Sequence, residues 1–134
     1  MILLDTHVFI RYANGERKLG RHARGAIDHA LDREHVFVSA LSFWEIAMLI
    51  EKRRLTLDTT VSGFRAATLR HGIQEVVVDG DVAIAAGELP PTHGDPVDRM
   101  LVATAIVRGV ALMTADEVLL GWKLRGYRVQ DATA

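Results

Sequence analysis

Met1-Ile2-Leu3-Leu4-Asp5-Thr6-His7-Val8-Phe9-Ile10 opens the chain, and the order of these residues decides the fold. Three consecutive apolar side chains suit one short buried strand. An acid closes that run at once, and a second apolar stretch follows with helical character. No basic segment precedes the apolar run, so it reads as a strand and not as a signal peptide. The same alternation recurs along the chain. Strands are predicted at 2–4, 36–38, 75–78, 110–113 and 127–129. Helices are predicted at 8–13, 19–33, from Ser39 or Ser42 to 52, from Asp58 or Thr59 to 71, and at 79–88, 96–108 and 116–120. Asn14-Gly15 ends the first helix. Asp95-Pro96 has the form of an N-cap followed by a proline in the first helical position, and Gly109 has the form of a helix end. Strands alternating with helices imply an α/β sandwich: a mostly parallel central sheet flanked by helices. The length favours one domain over 1–134. In such sheets the working site lies beyond the carboxyl ends of the strands.

Composition narrows the chemistry. Of 134 residues, 49% are hydrophobic and 25% charged, the balance of a folded globular chain. Cysteine is absent, which excludes disulfides and thiolate ligands, so any metal must be held by oxygen or imidazole. No apolar run approaches the roughly 20 residues that span a bilayer, and the expected location is the cytoplasm. The net charge of −1 lacks the positive excess of many nucleic-acid binders. Contacts to a polyanion would have to come from local clusters: Arg17, Lys18, Arg21 and Arg24, or Lys52, Arg53 and Arg54. Each cluster reads equally well as a solvated face.

Three acids fall where an α/β sheet places its site. Asp5 follows the first strand, Asp116 follows the strand at 110–113, and Glu45 lies one turn into the helix after 36–38. Asp98 lies in the first turn of the helix opened by Asp95-Pro96. The helix-start acids also suit the helix dipole, and Ser42 and Glu45 have capping-box spacing. Asp5 is harder to explain, because a carboxylate between two apolar runs needs a partner or a cation; capping of the first helix by Asp5 or Thr6 is the other role open to it. Four carboxylates in one pocket stay ionised together only if a cation offsets their repulsion. Oxygen ligation with retained water is the preference of Mg²⁺ or Mn²⁺. Such a site suits hydrolysis of a phosphodiester by activated water, with no side-chain nucleophile.

At these positions the sequence resembles the PIN-domain family and, within it, the VapC-type toxins. Residues 1–7 resemble the family's opening strand with its first acid. Ser39-Ala40-Leu41-Ser42-Phe43-Trp44-Glu45-Ile46 is similar to its second motif. His93-Gly94-Asp95-Pro96-Val97-Asp98-Arg99 resembles a histidine-x-Asp-Pro-x-Asp-Arg motif of one branch, and Leu112-Met113-Thr114-Ala115-Asp116 the last motif. The resemblance implies a PIN α/β/α sandwich and a Mg²⁺- or Mn²⁺-dependent endoribonuclease. It also implies an RNA substrate, a small antitoxin covering the active-site groove, and a homodimer.

It further implies that Asp5, Glu45, Asp98 and Asp116 form an acidic quartet. Asp5 and Asp98 would bind metal directly, and Asp116 would bind a second ion or act through water. Asp95 reads as an N-cap or as a further ligand. Thr6 and Thr114 read as turn hydroxyls or as groups orienting a ligand carboxylate or water. Arg99 would pair with an acid or reach the RNA backbone, and His93 would shape its loop or touch a phosphate. Trp44 points about 100° away from Glu45 on a helix, which favours core or dimer packing over base stacking. Val97 and Thr104 replace a common aromatic and a common glutamine of the motif, at packing positions. Other acid-based classes fit less well. A phosphatase of the haloacid-dehalogenase type wants an acid where His7 stands, and a phosphoryl-accepting receiver domain wants a lysine near 110–116. A non-catalytic module that keeps only the fold is the remaining alternative.

Overall fold

A computed structural model of the protein describes residues 1–90 and 95–134. Within them, strands and helices follow the order β1 (Ile2–Leu4), α1 (Thr6–Ala13), α2 (Arg21–Asp32), β2 (Val36–Ser39), α3 (Ala40–Glu51), α4 (Val61–Arg70), β3 (Gln74–Val76), α5 (Gly80–Glu88), α6 (Pro96–Arg108), β4 (Ala111–Thr114), α7 (Glu117–Gly121) and β5 (Arg128–Asp131). The strands form one sheet in the order β3-β2-β1-β4-β5, and every ladder is parallel. Side chains alternate across a strand. Ile2 and Leu4 therefore enter a core with Val8, Phe9, Ile27 and Ile46, while Leu3 enters a second core with Leu101, Val102 and Leu112. Helices cover both faces of β1, which is why its three residues are all apolar instead of alternating. Val82 and Ala86 of α5 meet Ala103 of α6 in a small outer cluster.

Local chemistry explains where the helices begin. Asp95 accepts from the Val97 and Asp98 N–H groups, Pro96 takes the first helical position, and Gly109 ends α6 with φ 66°. Ser39, not Ser42, caps α3 by accepting from the Leu41 N–H. Ser42 is buried inside the helix, so the capping box with Glu45 does not form, and Glu45 stands half-buried in the second turn. Thr60 caps α4 in place of Asp58 or Thr59. The first helix starts at Thr6, two residues before its apolar pattern becomes legible.

Strand order positions the site. The chain builds β1, β2 and β3 toward one edge, then returns to lay β4 on the other side of β1. Successive crossovers thus diverge between β1 and β4, and the crevice of an open parallel sheet lies at such a reversal, beyond the carboxyl ends of the strands.

Candidate active site

Asp5 and Thr114 stand side by side because Leu4 pairs with Met113, and the Asp5 N–H extends that ladder to the Met113 carbonyl at 3.0 Å. The Thr114 hydroxyl donates to Asp5 Oδ2 at 2.6 Å and accepts the Asp116 N–H at 3.1 Å. One buried hydroxyl thereby orients two acids from segments more than 100 residues apart. Asp5 occupies the N-cap position of α1, yet its side chain makes no cap hydrogen bond. Behind it, the Thr6 and Ser42 hydroxyls share a buried hydrogen bond of 2.8 Å. That bond ties the start of α1, next to Asp5, to α3, which carries Glu45.

A cavity of about 290 Å³ opens at this point, lined by Asp5, Glu45, Asp95, Asp98 and Asp116 together with His7, Arg11 and Ala115. The fold therefore brings all four acids of the expected quartet together and adds Asp95. Two of the acids hold helix ends at the same time. Asp95 Oδ1 accepts the Val97 and Asp98 N–H groups at 2.9 and 3.5 Å. Asp116 Oδ1 accepts the Val118 and Leu119 N–H groups at 2.8 and 3.2 Å.

The electrostatics follow from this crowding. Asp98 is pushed up to about 7, first by burial and then by the charges of Asp5, Asp95, Asp116 and Glu45. Burial also raises Asp5, against the Thr114 hydrogen bond and the weaker pull of His7. The field reaches Tyr127, whose phenol is raised by burial and by Asp5, Asp116 and Asp98, and which donates to the Leu119 carbonyl at 2.8 Å.

Other expected participants fall elsewhere. Arg99 does not line the cavity; its guanidinium donates to the Ala86, Leu89 and Pro90 carbonyls at 2.8 Å each, tying α6 to the end of α5. Val97 and Thr104 are buried, as packing positions should be. His93 lies outside the described residues. Trp44, expected in a core or dimer contact, is 55% exposed on this chain because α3 turns Phe43 and Ile46 inward instead. His7 and Arg11 were not expected at the site. Their signal was available: they are four residues apart, hence on one face of the helix that Asp5 begins.

Among the described residues, no three metal-ligating side chains are drawn into a closed cage. The donor set nonetheless fits a hard cation that keeps much of its water. Mg²⁺ uses one or two carboxylates and retains several waters, and the repulsion that raises Asp98 is what a divalent ion here would offset. Asp5, Glu45, Asp98 and Asp116 are the residues able to hold it.

The PIN domain matches residues 2–120, and the chain is a member of that family. The resemblance drawn from the four motifs is thereby borne out. The chain is 34% identical to Ribonuclease VapC22 of Mycobacterium tuberculosis (strain ATCC 25618 / H37Rv) over 128 residues, covering 95% of this chain and 92% of that one. Its fold is similar to that in VapBC2 from Rickettsia felis bound to a promoter DNA fragment, with TM-score 0.70, 12% identity and 98% of each chain covered. It is also similar to a chain of DNA-bound VapBC from Salmonella typhimurium, with TM-score 0.63, 19% identity, and 97% and 96% covered. No helix among the described residues is long and apolar enough to cross a membrane.

Proposed function

We propose that the protein is the toxin of a type II toxin–antitoxin pair and acts as an endoribonuclease that hydrolyses RNA phosphodiester bonds with Mg²⁺, or Mn²⁺ in its place. The observation that carries this reading is the convergence of Asp5, Glu45, Asp98 and Asp116 on one cavity, in a chain 34% identical to a VapC ribonuclease. A divalent ion in such a site supplies Lewis acidity toward a phosphate and lowers the pKa of water. Asp5 and Asp98, whose charged forms are the most penalised by burial, are the direct ligands. Asp116 has one oxygen occupied by its helix cap and uses the other, directly on a second ion or through water. Glu45 closes the ring from α3. Thr114 holds Asp5 in place, Thr6 fastens the start of α1 to α3 through Ser42, and Asp95 fixes the start of the helix that carries Asp98. The structural neighbours described as VapBC complexes support an antitoxin partner, and in this reading that partner covers the cavity. Homodimerisation and a cytoplasmic location complete the reading.

The test is cleavage of total RNA by protein purified free of antitoxin, with Mg²⁺ or Mn²⁺ and with EDTA. Defined fragments that vanish on chelation, and in Asp5→Asn or Asp98→Asn protein that remains folded, are expected. Intact RNA under all conditions would return the chain to a binding module.

A further inference from the structure

Asp116 caps a helix that cannot hold itself. α7 has five residues, far below the roughly 12–15 at which a helix begins to persist alone. Its place over the sheet must come from its neighbours. At its start, the Asp116 N–H donates to the Thr114 hydroxyl of β4, and Asp116 Oδ1 accepts the Val118 and Leu119 N–H groups. At its end, the Leu119 carbonyl accepts the Tyr127 hydroxyl at 2.8 Å, whereas the Trp122 N–H reaches the same carbonyl at 3.4 Å. Leu119 therefore carries both fastenings: its N–H goes to the site acid and its carbonyl to the phenol. Its side chain is buried in one cluster with Leu3, Leu101 and Leu112, and the Tyr127 ring packs on that cluster. Tyr127 immediately precedes β5, which pairs with β4 from Arg128 and Ala111 onward. Its N–H also closes a turn to the Leu124 carbonyl at 3.2 Å. α7 is thus strung between two adjacent strands, by Thr114 through Asp116 and by Tyr127 through Leu119.

We propose that Tyr127 is a positioning residue of the metal site: its hydroxyl holds α7, and through Leu119 it sets the Asp116 carboxylate as a ligand. The proposal rests on the ribonuclease reading above and deepens it. Asp116 Oδ1 is engaged by α7, so Oδ2 is the oxygen open to an ion or to its water, and its position is tied to that of the helix. A one-turn helix released at its far end tilts or frays, and the carboxylate moves with the two N–H groups it holds. Partners behind a ligand fix its orientation in this way and tune the affinity of the site. Tyr127 is not itself a ligand here, because its hydroxyl is directed to Leu119. Burial, and after it the charges of Asp5, Asp116 and Asp98, hold the phenol well above its ordinary range, so it remains a donor at neutral and mildly basic pH. A phenylalanine would keep the ring in the cluster and lose only that donor.

The test compares Tyr127→Phe with Gly20→Ala, whose added Cβ meets the Thr133 and Ala134 backbone outside the acid cavity and which controls for lost stability alone. Mn²⁺ is the probe, with the free ion counted by electron paramagnetic resonance. Tyr127→Phe should bind Mn²⁺ about tenfold more weakly, the lower end for a lost partner of a ligand. Its kcat in Mg²⁺ should fall by a similar factor of about ten, with KM for RNA changed less than about twofold. Amide exchange followed by NMR should speed up about tenfold at Val118 and Leu119, with Leu112 inside β4 unchanged. Asp116→Asn keeps a side chain able to cap α7 but has no charge to place. In that background Tyr127→Phe should change Mn²⁺ affinity less than about twofold, as a shared pathway requires. Unchanged Mn²⁺ affinity in Tyr127→Phe, an equal loss in the Asp116→Asn background, or a matching loss in Gly20→Ala would overturn the role and leave Tyr127 a packing residue. Wild-type protein that neither binds Mn²⁺ nor cleaves RNA would instead remove the underlying reading, and the role with it. Wild-type cleavage beside a fully competent Tyr127→Phe would remove the role alone.

Discussion

Removing the charge of Asp98 should make the protein more stable, and the gain should depend on pH. A carboxyl moved from 3.8 to about 7 corresponds to about 4 kcal/mol without screening, at ~1.4 kcal/mol per pH unit. Asp98 is only half-buried, so solvent screening reduces this to about 1–2 kcal/mol. The folded state binds the proton more tightly than the unfolded chain, so the wild type loses stability as pH rises from about 4 and levels off above about 7. An asparagine amide in its place carries no charge and escapes that loss. Asp98→Asn should therefore melt with the wild type near pH 4 and about 5 °C above it at pH 8, using the usual scaling of melting temperature for a domain of this size.

Magnesium sharpens the test. An ion bound only to the folded state stabilises it by about 2.7 kcal/mol at a concentration one hundred times its dissociation constant. At pH 8, added Mg²⁺ should raise the melting point of the wild type and close the gap to Asp98→Asn, which has lost a ligand. Thermal melts by circular dichroism across pH 4–8, with and without Mg²⁺, decide the matter. An Asp98→Asn protein that is less stable at pH 8, or a gap of constant size at every pH, would refute the reasoning that the cavity's acids strain one another.

Three further outcomes follow from the same contacts. Thr114→Val removes both the donor to Asp5 and the acceptor for the Asp116 N–H; it should cost about 1–3 kcal/mol in denaturant titrations and abolish RNA cleavage, and Thr114→Ser should restore both. Thr6→Val and Ser42→Ala should each cost about 1–2 kcal/mol by leaving one buried hydroxyl without its partner, while the double variant costs clearly less than their sum. Gly20→Ala would drive a Cβ into the backbone of Thr133 and Ala134, so chemical unfolding should show a loss of about 1–3 kcal/mol with cleavage per folded molecule unchanged.

What could be read from sequence was what local chemistry writes. The Asp95-Pro96 start and Gly109 end of α6 are signals carried by single residues, and the structure keeps them. The apolar triplet before Asp5 is legible because a strand buried on both faces needs no alternation. Strand order is not written locally: nothing within residues 2–4 tells that they lie between 36–39 and 111–114. For the same reason the Thr114–Asp5 hydrogen bond was invisible as a contact, although both residues were suspected separately. Ser42 beside Glu45 offered a plausible capping box, and the choice of Ser39 depended on where β2 ends. Of the two packing roles open to Trp44, its exposure excludes the core and leaves a dimer contact. Its exposure follows from α3 having Phe43 and Ile46 to spend on the core, a fact of helix rotation that the sequence does not state.

The placement of the acids shows how a folded chain tolerates them before any cation arrives. Asp5, Asp95 and Asp116 each stand at the N-cap position of a helix, α1, α6 and α7 respectively. Unpaired N–H groups there carry partial positive charge, and Asp95 and Asp116 each bind two of them. Asp5 takes its hydrogen bond from Thr114 instead. Asp98 and Glu45 lie inside helices, away from the cap position, and Asp98 is raised first by burial and then by the charges of all four other acids. Asp98, half-buried and pressed by the other four, is thus the acid whose charged form a divalent ion would most directly relieve. A cavity arranged in this way spreads the acids over helix ends and a buried hydroxyl, so that the fold holds them close together without a side-chain cation at each one.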